Sequence, residues 1–213
     1  MEIHAYSEIY VESAQNILGH MFDFAINEAG ISEDDFSKRF AISKSARQFE
    51  IGNPRYVAGI TGPELAKEVL LESGYTGELP EDVMYIDRSP EYWAGWVIAY
   101  YQWLRNYSFA YIFDAMDLKF LLKLYSTYHE MDIEKFVETA DERIKEYYPD
   151  TALKRYRILA GLSQSELAEE SGVSLRLIQM FEQRQRDINK TSALNILKLS
   201  KTLFVRMEDL IEG

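Results

Sequence analysis

An all-α fold follows from three observations on this 213-residue sequence. Apolar residues recur at i, i+3, i+4 and i+7 in almost every stretch long enough to show a period. Serine, threonine or aspartate stands just before many of those stretches. Twice it forms the S/T-x-x-E capping box, at Thr61/Glu64 and Ser163/Glu166, where hydroxyl and carboxylate satisfy each other's backbone amides. The prolines, and most of the glycines, fall between the periodic stretches or at their first turn.

Taken in order, the first helix is expected through Ala14, Ile17, Leu18, Met21 and Ala25, ending at Gly30. Ser32 should cap a short helix, SEDDFSKRF, with Phe36 and Phe40 turned inward. Residues 51–61 hold two glycines and a proline and are expected to be a connector. Thr61 then opens a helix through Leu65, Val69 and Leu70. Residues 74–89 show no clear period and predict a long loop or a short strand over 83–86.

Ser89-Pro90-Glu91 is a helix start: a capping hydroxyl, a proline in the first turn, an early acid. The helix it opens carries all three tryptophans. Trp93, Trp96, Val97, Tyr100, Trp103, Leu104 and Tyr107 form one stripe, with Ile98 and Tyr101 on other faces. A helix apolar nearly all round is central in a bundle. Trp93, Trp96, Tyr100 and Trp103 also suit a groove for a partner protein, because Trp and Tyr are favoured anchors. Both readings stay open on sequence. Further helices are expected over 108–116, through Phe120, Leu121, Leu124, Tyr125 and Tyr128, and from Asp132 through Ile133, Phe136, Val137, Ala140 and Ile144.

Pro149 marks a boundary, giving an all-helical bundle over 1–149 and a second domain over 150–213, with Asp150 or Thr151 as its first cap. Charge divides at the same place. From residue 151 onward there are 10 Lys and Arg against 8 Asp and Glu, a net of +2. The 13 basic and 27 acidic residues before it give a net of −14. Helices in the second domain are expected over 152–160, 164–171, 175–184, 192–203 and 207–211. Leu153, Ile158, Leu162, Leu167, Val173, Ile178, Ile188, Ala193, Ile196, Leu197, Leu203, Met207 and Leu210 would be its core.

Composition excludes several classes. With no cysteine there is no disulfide framework, and 47% hydrophobic residues argue against wholesale disorder. No apolar run approaches the ~20 residues of a membrane span, and no basic-apolar leader follows Met1, so a cytoplasmic, membrane-free protein is expected. His4, His20 and His129 are isolated, so no metal or other cofactor is expected. Neither a phosphate loop nor a nucleophile elbow occurs, and no enzymatic activity is expected. The clusters Glu33-Asp34-Asp35 and Asp141-Glu142 suit helix N-termini and solvated faces.

Residues 163–182, SQSELAEESGVSLRLIQMFE, are two short helices joined at Gly172, with Ser174 capping the second. That is the spacing of a helix-turn-helix. The longer segment LKRYRILAGLSQSELAEESGVSLRLIQMFEQ, with KLSKTLFVRMEDLIEG after it, resembles the lambda-repressor-like (Cro/XRE) helix-turn-helix family over 151–213. The resemblance implies a five-helix domain that binds double-stranded DNA as a homodimer on palindromic operators, its third helix in the major groove. It implies that Gln164 holds a phosphate and orients that helix, and that Ser174, Leu175 and Arg176 face base edges. Gln179 and Met180 lie one turn on, Gln179 as the polar contact. Arg176 could pair with a guanine, and Arg184, Arg186 and Lys190 would contact the DNA backbone. Arg157 and Glu182 match a buried structural salt bridge of the family. Two positions depart from the pattern: Leu175 stands where a polar reader is common, and Arg184 where glycine is frequent.

The front half is also similar, through its YVESAQ, RSPEYWAGW and YYQW segments, to bacterial antitoxin-like regulators that neighbour small toxin-like genes. This resemblance implies an autoregulating repressor whose front domain grips a toxin. A stand-alone sensor of a ligand or protein, and an enzyme fused to a regulator domain, are the alternatives.

Overall fold

A computed structural model describes residues 4–81 and 88–211 of the chain. The short strand expected over 83–86 lies outside the described residues. The chain divides into two compact units, Met1–Tyr147 and Tyr148–Gly213. Every regular element among the described residues is helical.

In the front unit a 3-10 turn, Glu8–Tyr10, leads into α1 (Val11–Asp23). Its last turn widens into a π-helical turn, Phe24–Glu28, before Gly30 takes a φ of 66°. Ala14, Ile17, Leu18, Met21 and Ala25 are all buried, as their spacing requires. Helix α2 (Glu33–Ile42) starts where Ser32 accepts the Asp35 N–H, and it buries Phe36 and Phe40. Helix α3 (Lys44–Glu50) has no counterpart among the expected elements. The supposed connector over 51–61 contains α4 (Pro54–Ala58). There Asn53 caps the helix, and Pro54 sits in the first turn, where a missing N–H removes no helical bond. Glycine and proline content concealed this short helix, which buries Tyr56 and Val57.

Helix α5 (Gly62–Glu72) opens on the Thr61/Glu64 capping box and buries Leu65, Val69 and Leu70. Ser89 caps α6 (Pro90–Arg105), which ends at Asn106 in the left-handed conformation. Helices α7 (Phe109–Ala115), α8 (Leu118–Tyr128) and α9 (Ile133–Tyr147) complete the unit. Helix α6 is its centre, packing on α1, α8 and α9. Its approach to α1 depends on glycine: a Cβ on Gly95 would lie 2.3 Å from the Leu18 carbonyl oxygen. Beside this pair Phe22, Phe36, Phe40, Phe109 and Phe113 interlock, Phe22 edge-on to Phe36 at 5.4 Å.

In the back unit Thr151 accepts the Lys154 N–H and caps α10 (Ala152–Leu159). Helices α11 (Gln164–Ser171), α12 (Leu175–Glu182) and α13 (Ala193–Leu203) follow, with a 3-10 turn, Ile188–Lys190, before α13. The expected fifth helix is only a 3-10 turn, Glu208–Leu210, held by i→i+3 bonds and by Arg206, whose guanidinium and N–H both engage Asp209.

The core gathers Leu153, Leu167, Val173, Ile178, Phe181, Ile188, Ile196, Leu199, Leu203 and Leu210. Three expected members face solvent. Ile158 is 55% exposed, because the inward position beside it is taken by the Arg157 side chain. Ala193 and Leu197 are exposed, because α13 carries apolar residues on every face and buries the Ile196–Leu199–Ser200–Leu203 row instead.

Candidate nucleic-acid interface

The two helices of the turn motif are fixed by local chemistry. Ser163 N–H donates to Glu166 Oε2 at 2.7 Å, and Glu166 N–H to Ser163 Oγ at 3.2 Å, which starts α11. Hydrogen bonds donated to the Glu166 carboxyl by Ser163, from its hydroxyl first and its backbone N–H second, hold that group below its ordinary pKa. Gly172, at φ 64°, ends α11 in the left-handed conformation, its N–H donating to the Ala168 carbonyl. Ser171 Oγ accepts the Val173 N–H at 3.2 Å, and Lys198 Nζ donates to the Gly172 carbonyl at 3.4 Å. Ser174 then caps α12 by accepting the Leu177 N–H at 3.4 Å.

A buried clamp sets the tilt of α12 from its far end. Arg157 on α10 is bidentate to Glu182: Nε to Oε1 at 2.6 Å and Nη2 to Oε2 at 2.8 Å. Their side chains are 11% and 2% exposed, and the bonds to Glu182 raise the Arg157 pKa. Arg157 Nη1 also donates to the Leu162 carbonyl at 2.8 Å. Gln164, at the start of α11, gives Nε2 to Glu182 Oε2 at 2.8 Å. Three helices therefore meet at one carboxylate whose bonds are directional and charge-assisted. Gln164 orients the second helix of the motif directly through Glu182.

The clamp leaves the opposite side of α12 facing outward. Ser174, Leu175 and Arg176 are exposed there, and Gln179 and Met180 are half-buried one turn on. Ile178 and Phe181 fill the core behind them. The outward row continues to the exposed Gln183, which accepts from Gln185 Nε2 at 2.9 Å. The i+4 step from Gln179 was the signal for it.

The expected extension of α12 to residue 184 does not occur. Gln185 N–H bonds to the Met180 carbonyl and Arg184 N–H to the Phe181 carbonyl, a Schellman ending with Arg184 at φ 55°. That geometry explains why glycine suits this position. Arg184 and Arg186 are exposed in the loop that follows. Lys190, also exposed, lies 3.3 Å from Asp187. One end of the unit thus joins the outward face of α12 to a basic loop.

The four aromatic residues proposed for partner binding in the front unit do not form one surface. Trp103 is buried, with Nε1 donating to the Tyr6 carbonyl at 2.9 Å and its ring stacked on His4 at 4.1 Å. Tyr100 leans against it at 5.5 Å. Trp93 packs edge-on to Tyr125 and Phe136, whereas Trp96 is half-buried. Trp93 and Trp96 line a cleft of about 310 Å³ with Tyr125, Tyr128, His129 and Met131. The three histidines each lie against a different ring: His4 on Trp103, His20 on Tyr92, His129 on Tyr125. Among the described residues no group of three or more His, Asp or Glu side chains is placed to hold a metal ion.

Residues 153–210 match the helix-turn-helix family model HTH_3. No curated protein and no solved structure matches the chain. The matched segment is a lambda-repressor-like helix-turn-helix of the Cro/C1 type, and it makes the chain a DNA-binding transcriptional regulator that engages double-stranded DNA. None of the helices among the described residues is long and apolar enough to cross a membrane.

Proposed function

We propose that this chain is a sequence-specific repressor that binds a palindromic operator as a homodimer. The observation that carries the proposal is the outward face of α12, with Arg176 beside Gln179, held in place by the Arg157–Glu182–Gln164 clamp and continued by Arg184, Arg186 and Lys190. Phosphate contacts from the loop position the unit, and side chains of α12 read base edges. One eight-residue helix reaches few base pairs, and the −14 front half opposes non-specific attraction to phosphate. Two copies on one duplex supply the missing affinity.

Footprinting on DNA upstream of the protein's own gene is the test. The expected result is salt-sensitive protection of two patches centred about one DNA turn, ~34 Å, apart. Equal protection of unrelated duplex, or none, rejects sequence-specific repression.

A second reading, compatible with the first, makes the front unit the grip of an antitoxin on its toxin, with DNA binding as autoregulation in the cytoplasm. The aromatic cleft at Trp93 and Trp96 favours it, because half-buried Trp and Tyr rings in a cleft make strong protein anchors. On this reading the front unit works by binding and not by catalysis. Since Trp96 is only half-buried, Trp96→Ala is expected to keep the fold and weaken the complex with the neighbouring gene product at least tenfold. An unchanged complex would remove the cleft from the interface, and no complex with wild type would remove the antitoxin role.

A further inference from the structure

The outward side chains of α12 fall into two rows. Residues four apart on an α-helix are offset by only about 40° around its axis, so Leu175 aligns with Gln179, and Arg176 with Met180. Each row therefore sets one large apolar side chain beside one hydrogen-bonding side chain. Leu175 is 37% exposed. Met180 is half-buried, but the partly buried apolar residue of α12 that packs on the core is Leu177, not Met180. Neither of them packs against the buried core of the unit.

The major groove presents one apolar group, the 5-methyl of thymine, alongside the donors and acceptors of the purines. Resting on the reading that α12 enters that groove, we infer that Leu175 and Met180 read thymine methyls, each next to a purine contacted by its row partner. Gln179 suits adenine N6 and N7, and Arg176 suits guanine O6 and N7. The preferred site then contains a thymine neighbouring each contacted purine. Specificity is divided between methyl burial and hydrogen bonding, and Leu175 is a reader in its own right.

Replacing thymine by deoxyuridine removes the methyl and leaves every hydrogen-bonding group in place. The full chain is used to select its best duplex from a random library, and each thymine of that site is then replaced in turn at fixed salt. Two thymines within reach of one α12 are expected to show a loss of roughly fourfold each, the worth of one buried methyl-sized group. Leu175→Ala should abolish the loss at one of them, and Met180→Ala at the other. A selected site indifferent to every deoxyuridine overturns this inference and leaves specific DNA reading intact. Losses that persist unchanged in both variants overturn it as well. Failure to select any site overturns the reading on which it rests. The modified duplex tests methyl reading on the wild-type chain itself, and the two variants, checked for an unchanged melting temperature, assign each methyl to its side chain.

Discussion

At the scale of single residues, Arg157 turns inward as the family resemblance implies, although periodicity alone does not foresee it. Its guanidinium fills the place that periodicity offers to Ile158, because Glu182 and the Leu162 carbonyl supply its partners. Removing one member of a buried pair leaves the other uncompensated. Arg157→Met is therefore expected to lower stability by about 3–5 kcal/mol, with much of the loss recovered when Glu182→Leu is added. Urea denaturation checks both, and an unchanged midpoint for Arg157→Met would show that the clamp does not hold the unit together. Arg184 presents the opposite case, a side chain in a left-handed position that disfavours it. Arg184→Gly is expected to gain about 1 kcal/mol of stability. The same change should weaken binding to all sequences alike and flatten the salt dependence by about one counterion. Arg176→Ala should instead relax discrimination between operator and random DNA. Competition binding at two salt concentrations separates the two outcomes.

At the scale of elements, caps were more legible than lengths. Ser32, Thr61, Ser89, Ser163 and Ser174 each start a helix in the structure because one hydroxyl suffices to accept an orphan N–H. Endings depend on whether the next residue enters the left-handed region, and Arg184 and Phe204 do so without being glycine. Helix α4 was hidden by the proline that in fact begins it. The face of α13 was ambiguous because Leu194, Ile196, Leu197 and Leu199 surround the helix. Of the interface, the exposed ends at Leu175, Arg176 and Arg184 were legible from the motif. The Gln164–Glu182 bond was not, since it joins residues eighteen apart through side-chain direction alone.

Close helix approach is the other property decided at this scale. A methyl on Gly95 would meet the Leu18 backbone, which no rotamer change can relieve. Gly95→Ala is expected to destabilise the front unit by about 3 kcal/mol, at the upper end for overpacking. Thermal unfolding monitored by tryptophan fluorescence reports it directly, because all three tryptophans lie on α6. A melting temperature equal to wild type would show that α1 and α6 separate without penalty.

At the scale of the whole molecule, two units carry separate cores and opposite charge. The +2 of residues 151–213 is tethered to the −14 of the residues before it. The front unit therefore opposes loose binding to phosphate while leaving short-range base contacts untouched. A fragment of residues 148–213, checked for helicity, is expected to bind random duplex several-fold more tightly than the full chain at low salt. The gap should close as ionic strength rises, because exposed charges beyond a Debye length of ~10 Å at 0.1 M are screened. Anisotropy titrations at two salt concentrations measure it, and a salt-independent gap would point away from charge.

Ile178, Phe181 and Glu182 hold α12 in place, whereas Leu175, Arg176, Gln179 and Met180 face away from the core. The two sets share no member. A duplicated copy of the gene could therefore drift to a new target through single changes at four positions, each step leaving a folded protein. Descendants of such drift would be recognised by an unchanged Arg, Gln and Glu clamp under divergent outward rows. The arrangement that makes this regulator stable is also what makes its address rewritable.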